Sequence, residues 1–155
     1  MNDTTTNGTT TNGTTTNDAT AWTLDRIRAH IEQGLPLVPL FNIDVVEAVP
    51  ERSAVRLREG NHVTRPGGSI AGPVQFALVD VAAYALILAD RRDEHAVTVD
   101  LTINFLRPAL ALPLLAMATP LRAGRRLYTT DIRISEETAG RLVAQATATY
   151  ALSGA

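Results

Sequence analysis

A chain of 155 residues with 45% hydrophobic content is long enough to bury the core of one globular domain and short for two. The formal net charge of −2 provides no bulk attraction to nucleic acid, so we expect no nucleic-acid partner. The chain has no cysteine, which excludes disulfides, thiolate nucleophiles and cysteine-based metal sites, and three widely spaced histidines make a metal site unexpected.

The first 20 residues form a low-complexity tail built on repeats of T-T-T-N-G. This stretch has no apolar face to bury, and we predict that residues 1–20 are disordered. The tail also lacks the basic start and apolar core of a signal peptide, which leads us to expect a cytoplasmic protein. Residues 21–155 are predicted to form the single folded domain.

A short amphipathic helix is predicted directly after the tail. Thr23 suits its N-cap, and Gly34 followed by Pro36 ends it. Two strands are predicted next, at 43–49 and 54–59, from their alternation of apolar and polar residues. The apolar residues of the helix fall on one face: Leu24, Ile27 and Ile31.

The most apolar stretch of the chain predicts a long helix over Pro73–Ala89. Pro73 suits the first position of a helix, and Gly72 suits its N-cap. Apolar residues occupy every face from Val74 onward, so we expect this helix to be buried on all sides. Asp80 is the single charge in its middle. Because ionised carboxylates are rarely buried unless something needs them, we favour a functional role for Asp80.

Two structural interpretations of this helix compete with a functional one. A membrane span needs roughly 20 apolar residues. The run here has sixteen, with an aspartate that costs about 2.5–3.5 kcal/mol at the centre of a bilayer, so we expect no membrane partner. The second interpretation is a structural ion pair between Asp80 and an arginine of a neighbouring strand, and it stays open at this stage.

The second half of the chain has the period of two that is typical of strands. In Val97–Leu106 this period predicts a strand with one buried face, and further strands are predicted at 114–121, 128–135 and 142–152. A helix, two strands, a long apolar helix and then successive antiparallel strands indicate the α+β class, with the long helix packed on one sheet.

A motif leads into the long helix, with Gly68, Ile70, Gly72 and Asp80 at fixed spacing. Further segments of the same pattern are 96–100, 104–109 and 143–150. In these positions the chain resembles the hotdog-fold thioesterases, most closely the branch with phenylacetate-pathway and hydroxybenzoyl-CoA thioesterases. The resemblance implies a curved antiparallel sheet wrapped around a long central helix. It also implies hydrolysis of an acyl-CoA to a free acid and coenzyme A, with no cofactor apart from the substrate's own coenzyme A.

The resemblance also implies catalytic roles for particular residues. Asp80 stands at the position of the family's acid, which acts as base or nucleophile, and the Gly72 N–H stands at the position of the oxyanion donor. Thr98 lies where relatives carry a serine or threonine that helps to position water. Arg65 replaces the family's asparagine or glutamine; it either donates hydrogen bonds in place of that amide or pairs with a surface acid. The family's histidine and second glycine are replaced by Ala71 and Pro73.

A shared site between two chains follows from the spacing of Gly72 and Asp80. Eight residues place them about 12 Å apart along one helix, too far to act on the same carbonyl. If both act, a two-fold homodimer must bring Asp80 of one chain to Gly72 of the other. The family that this chain resembles forms such dimers. Whether the dimers pair further into tetramers stays open.

Other residues are predicted to bind the substrate. Tyr84 lies one turn after Asp80 on the same helix face, where it either lines an acyl pocket or belongs to the core. Ala71 and Phe76 are the other predicted acyl-pocket residues. Three arginines can reach the phosphates of coenzyme A, with a solvated turn as the alternative for each: Arg107, Arg125 and Arg126.

Two rival functions stay open at the level of sequence. The replacements Ala71 and Pro73 suggest a non-catalytic acyl-CoA-binding protein. An acyl dehydratase or hydratase would need a histidine beside the acid, and His62 and His95 are the nearest candidates. Of these three functions, only a thioesterase releases coenzyme A from its substrate.

Overall fold

The computed structural model describes residues 22–60, 63–110 and 112–154. The predicted disordered tail at 1–20 lies outside the described residues, as does His62. The described part of the chain contains three helices and one six-stranded sheet, which confirms the predicted α+β class.

The first helix, α1, spans Leu24–Gly34 as its apolar pattern predicts. Its N-cap is Thr23, whose side-chain oxygen accepts a backbone N–H of the first turn at 3.3 Å. A second helix of a single turn, α2, spans Leu37–Leu40, between the predicted end of α1 and the first predicted strand. Four residues are too few for a helical period to be visible in a sequence.

Six antiparallel strands form one sheet in the order β1-β2-β4-β5-β6-β3, so β1 and β3 are its edges. Every strand boundary agrees with the prediction to within two residues, because the period-2 alternation and the turns between strands are strong local signals. The strands are β1 Ile43–Val49, β2 Arg52–Leu57, β3 Val97–Phe105, β4 Leu114–Ala123, β5 Leu127–Glu136 and β6 Leu142–Ala151.

The long helix, α3, spans Gly72–Arg91 and contacts all six strands of the sheet that curves around it. The fold is therefore the curved sheet around a central helix that the resemblance implies. The N-cap is Ala71 and not Gly72, so α3 begins one residue earlier than predicted. By length and composition α3 is apolar enough to span a membrane, but 67% of its apolar window is buried inside this protein, as in the core helix of a folded domain.

The expectation that α3 is buried on all sides is wrong along one stripe. Pro73, Phe76, Asp80 and Tyr84 are all partly or fully exposed, and residues three or four apart share a helix face. The sheet ends at β3, and no further strand of the chain covers this side of the helix within the described residues. The uncovered stripe therefore leaves Asp80 accessible.

The prediction that β3 has one buried face is also wrong for a single chain. Val97, Val99 and Phe105 are 59%, 56% and 53% exposed, and no residue of β3 is fully buried. The physical reason is the position of β3 at the sheet edge, beside the uncovered stripe of α3. One chain thus presents an apolar sheet edge and a half-exposed helix next to each other.

Candidate active site

Asp80 is held by two hydroxyl groups that donate to the same carboxylate oxygen. The Tyr150 hydroxyl donates to Asp80 Oδ1 at 2.6 Å, and the Thr98 hydroxyl donates to Oδ1 at 2.9 Å. Asp80 forms no ion pair with an arginine among the described residues, so the structural ion pair left open by the sequence is not found. Its second oxygen, Oδ2, receives no hydrogen bond from another described residue.

A β-bulge brings Thr98 to Asp80. The sequence pattern assigns Thr98 to the polar face of β3, but the register between β3 and β6 shifts between Thr98 and Asp100. Such a bulge puts one extra residue on one strand and re-aims the side chains beyond it. Thr98 pairs with Tyr150 across the two strands, so both hydroxyls lie on the side of the sheet that faces α3.

The carboxylate of Asp80 opens onto a cleft of about 480 Å³ between α1, α3 and the start of β3. We call it the Asp80 cleft. It is lined by Asp80, Thr98, Tyr150, Tyr84, His30, Gly34, Leu35, Glu94, Ala96 and Val97. Aromatic and hydrogen-bonding groups lie close to the carboxylate here, a combination typical of small-molecule sites.

Tyr84 and His30 form a hydrogen-bonded pair in the wall of this cleft. The Tyr84 hydroxyl donates to the backbone oxygen of Glu94 at 2.9 Å, so the neighbouring His30 Nε2, at 3.0 Å, is the donor to Tyr84. Burial, with smaller contributions from the charges of Glu94 and Asp93, raises the pKa of the Tyr84 phenol. Tyr84 therefore stays neutral, and it lines the Asp80 cleft, while its contact with an acyl group stays a prediction.

The start of α3 forms a second cleft, of about 440 Å³, which we call the helix-start cleft. The Gly72 N–H donates to no other described backbone group, as is usual for the first residue of a helix. Gly72 and the Phe105 ring both line this cleft, and a Cβ on Gly72 would lie 3.3 Å from that ring. The side-chain oxygen of Gln75 is buried here without a hydrogen-bond partner among the described residues. Donors and the positive end of the helix dipole suit this cleft to a developing negative charge.

Two arginines border the helix-start cleft. Arg65 donates through Nε to the Ser69 hydroxyl at 2.8 Å and forms no ion pair with an acid among the described residues. That observation favours the donor role over the surface-pair role left open for Arg65. Arg107 donates to the backbone oxygen of Leu142 at 2.6 Å and lines the same cleft.

The two clefts share no lining residue and lie at different points of one helix. Gly72 and Asp80 are separated by eight residues of α3, which is about 12 Å of helix. One chain therefore presents a donor half and a carboxylate half, each accessible at the surface.

Comparison with known proteins agrees with this architecture. The model of the thioesterase superfamily matches residues 67–143, which include the whole of α3 and β3. A crystal structure from Silicibacter sp. TM1040, described as that of a candidate thioesterase, is 33% identical. It superposes with a TM-score of 0.75 over 83% of this chain and 90% of its own. This chain belongs to the thioesterase superfamily. Zebrafish thioesterase superfamily member 2 is 25% identical, with a TM-score of 0.73 over 85% of this chain and 99% of its own.

Among curated relatives, human acyl-coenzyme A thioesterase 13 is 27% identical over 107 residues. The match covers 68% of this chain and 76% of that protein. The superfamily assignment confirms the hotdog fold, while the narrower aryl-CoA branch stays a prediction.

The structure divides the remaining predicted site residues among several places. Ala71 caps α3 beside Gly72, and Phe76 is 44% exposed on the uncovered stripe, in neither cleft. Arg125 lines a separate cleft with Arg91 and Arg92, and Arg126 lies in neither the Asp80 cleft nor the helix-start cleft. His95 also lies in that separate cleft, away from Asp80. The structure therefore does not pair His95 with the acid, as a dehydratase would need.

Among the cleft residues that sequence reasoning missed are Tyr150, His30 and Gln75. Tyr150 ends an alternating strand and looks like an ordinary core residue. His30 lies on the half-exposed side of α1, 54 residues from its partner Tyr84. Gln75 could have been identified from the sequence, because an amide inside an otherwise apolar helix needs a buried hydrogen-bond partner.

Proposed function

We propose that this protein is a homodimeric acyl-CoA thioesterase that hydrolyses a thioester to a free acid and coenzyme A. The observation that carries the proposal is Asp80. Its carboxylate faces a cleft, is oriented by two hydroxyl donors and has one oxygen without a protein partner among the described residues. A carboxylate oriented in this way suits proton abstraction from water or direct attack on a thioester carbon.

Hydrolysis with Asp80 as base proceeds through a tetrahedral intermediate. Water attacks the thioester carbon while Asp80 takes its proton, and the carbonyl oxygen becomes an oxyanion. The Gly72 N–H and the positive end of α3 stabilise that oxyanion. Collapse breaks the carbon–sulfur bond, and the proton held by Asp80 passes to the leaving thiolate.

The alternative chemistry uses Asp80 as the nucleophile. The carboxylate then attacks the thioester carbon, expels the thiolate and forms a mixed anhydride that water hydrolyses. Single turnover in ¹⁸O-labelled water tests for this route: label found on Asp80 identifies attack of water on the anhydride's aspartyl carbon, because a general base never acquires the label.

The active site is assembled from two chains in this proposal. The sheet edge at β3 is open, its apolar residues are exposed, and the half-exposed stripe of α3 lies beside it. Exposed apolar sheet edges are generally paired or covered in stable proteins. Antiparallel pairing of β3 with the β3 strand of a second copy would cover this surface and place the two α3 helices side by side. Asp80 of one copy would then approach Gly72 of the other, as their 12 Å separation along one helix requires.

We expect the variant Ile103→Arg to dissociate into monomers and to lose turnover in proportion to the dimer lost. Ile103 pairs with Ala146, so it lies on the helix-facing side of β3, where an arginine in the dimer would be buried without a partner. Thr102→Arg is the matched control, because the neighbouring residue lies on the opposite, polar side of the same strand. Sedimentation velocity at micromolar concentration measures the oligomeric state of both variants, and the release of free thiol measures their turnover. A wild-type protein that is monomeric and fully active contradicts the shared site.

The proposed substrate is an acyl-CoA because the curated relatives carry that name. We place the acyl group in the Asp80 cleft, against Tyr84, and we assign the coenzyme A phosphates to arginines. Arg65 and Arg107 line the helix-start cleft together with Gly72, whereas Arg125 and Arg126 do not line it.

A panel of acyl-CoA substrates with detection of the free thiol tests the proposed activity. The panel includes phenylacetyl-CoA and benzoyl-CoA, which test the aryl branch of the resemblance, and short and medium straight chains. Release of coenzyme A supports a thioesterase. Binding without release supports the non-catalytic acyl-CoA-binding alternative, and addition of water to an enoyl-CoA with the thioester intact supports a hydratase.

A further inference from the structure

Tyr150 makes the shortest hydrogen bond to the carboxylate of Asp80 among the described residues. Its hydroxyl lies 2.6 Å from Asp80 Oδ1 and 3.1 Å from the Asp80 backbone oxygen. A hydroxyl has one proton to donate, and the shorter contact to a charged acceptor is the stronger bond. Tyr150 therefore donates to the carboxylate.

The position of Tyr150 is fixed by its surroundings. Its side chain is 3% exposed, and the Tyr84 ring stacks on it with centroids 6.3 Å apart and planes 10° apart. Because Tyr84 lies one turn after Asp80 on α3, the same helix supplies the carboxylate and the ring that packs on Tyr150. Tyr150 thus has little freedom to leave Asp80.

The phenol of Tyr150 also remains a donor across the working pH range. Burial, and after it the negative charge of Asp80, raises the pKa of Tyr150 well above its ordinary value. Tyr150 is therefore neutral near neutral pH and keeps its proton for the hydrogen bond to Asp80.

We propose that Tyr150 is a positioning residue that, with Thr98, fixes Oδ1 of Asp80 and leaves Oδ2 as the oxygen that meets water or the thioester. Thr98 and Tyr150 are paired neighbours on β3 and β6, so the sheet delivers both donors to one oxygen. The Thr98 hydroxyl donates its one proton to Asp80, and this hydrogen bond helps to orient the carboxylate. This inference rests on the proposed thioesterase function. It assigns Oδ1 to hydrogen bonding within the protein and Oδ2 to the reaction.

The test is Tyr150→Phe, compared with the matched control Tyr128→Phe. Tyr128 is the cross-strand neighbour of Tyr150 on β5, is 0% exposed and faces Asp90 and not Asp80. We expect kcat of Tyr150→Phe to fall roughly 10- to 100-fold, the range of one hydrogen bond to a charged group, with KM changed less than about threefold. Losing a donor makes a carboxylate easier to protonate, so the acid limb of the pH–rate profile moves to higher pH. Tyr128→Phe should keep the parental kcat and profile.

Thr98→Val removes the second donor and should shift the profile in the same direction. Melting temperatures of all variants separate a loss of folded protein from a loss of turnover per folded molecule. Tyr150→Phe with the parental kcat and acid limb overturns the positioning role while the thioesterase function stands. Wild-type protein that releases no thiol from any acyl-CoA overturns the proposed function and this inference with it.

Discussion

Replacement of Asp80 by asparagine should lower kcat at least about 100-fold, since general-base catalysis alone contributes typically 10²–10⁴-fold. Asparagine keeps a carbonyl-type oxygen that can accept from Thr98 and Tyr150, so both hydrogen bonds persist. The side chain loses its negative charge and with it the oxygen that accepts a proton or attacks the thioester. We expect KM to change far less than kcat, because the lost interaction acts in the transition state.

The folded state should tolerate Asp80→Asn, since no arginine pairs with Asp80 among the described residues. Removing one partner of a buried ion pair would instead cost about 3–5 kcal/mol. Asp90→Asn is the matched control, because Asp90 lies on the same helix and outside both clefts. Thermal unfolding and steady-state kinetics measure the two effects separately. A variant that melts early and yet turns over at the parental rate identifies Asp80 as part of the scaffold.

Most of the fold could be predicted from local patterns. The apolar run of α3 and the period-2 alternation of the strands are both visible in the sequence. The observed element boundaries differ from the predicted ones by at most two residues. The faces of these elements were harder to predict. Apolar residues such as Val99 and Phe105 indicate burial, but a sequence does not say whether the covering surface belongs to the same chain.

The residues that make up the candidate site were harder to predict, because they depend on the register between strands and on contacts between residues far apart in the sequence. A bulge after Thr98 turns this residue toward Asp80, and bulges leave no reliable trace in a single sequence. Tyr150 reaches Asp80 across 70 residues of chain, and His30 reaches Tyr84 across 54. Local motifs could find Asp80 and Gly72 because the two lie on one helix, whereas the residues that orient Asp80 required the sheet topology.

Replacement of Gly72 by proline should lower kcat about 100- to 1000-fold, the usual cost of removing one oxyanion donor. Proline deletes the N–H of the first helical residue, which donates to no other described backbone group, so α3 loses no hydrogen bond of its own. Proline is favoured at this helix position, and the extended Ala71, with φ −65° and ψ 141°, suits the residue before a proline. The matched control is Gly72→Ala, which adds the same Cβ against the Phe105 ring and keeps the N–H; its kcat should fall far less.

Mixing the two inactive variants then tests whether each active site is shared between chains. Asp80→Asn and Gly72→Pro, unfolded together and refolded at equal concentration, should recover about one quarter of the parental activity. Half of randomly paired dimers are mixed, and each mixed dimer has one site with both substitutions and one site with neither. Refolding either variant alone is the control and should recover no activity. If each chain holds a complete site, the mixture also stays inactive, because every site then carries one of the two substitutions.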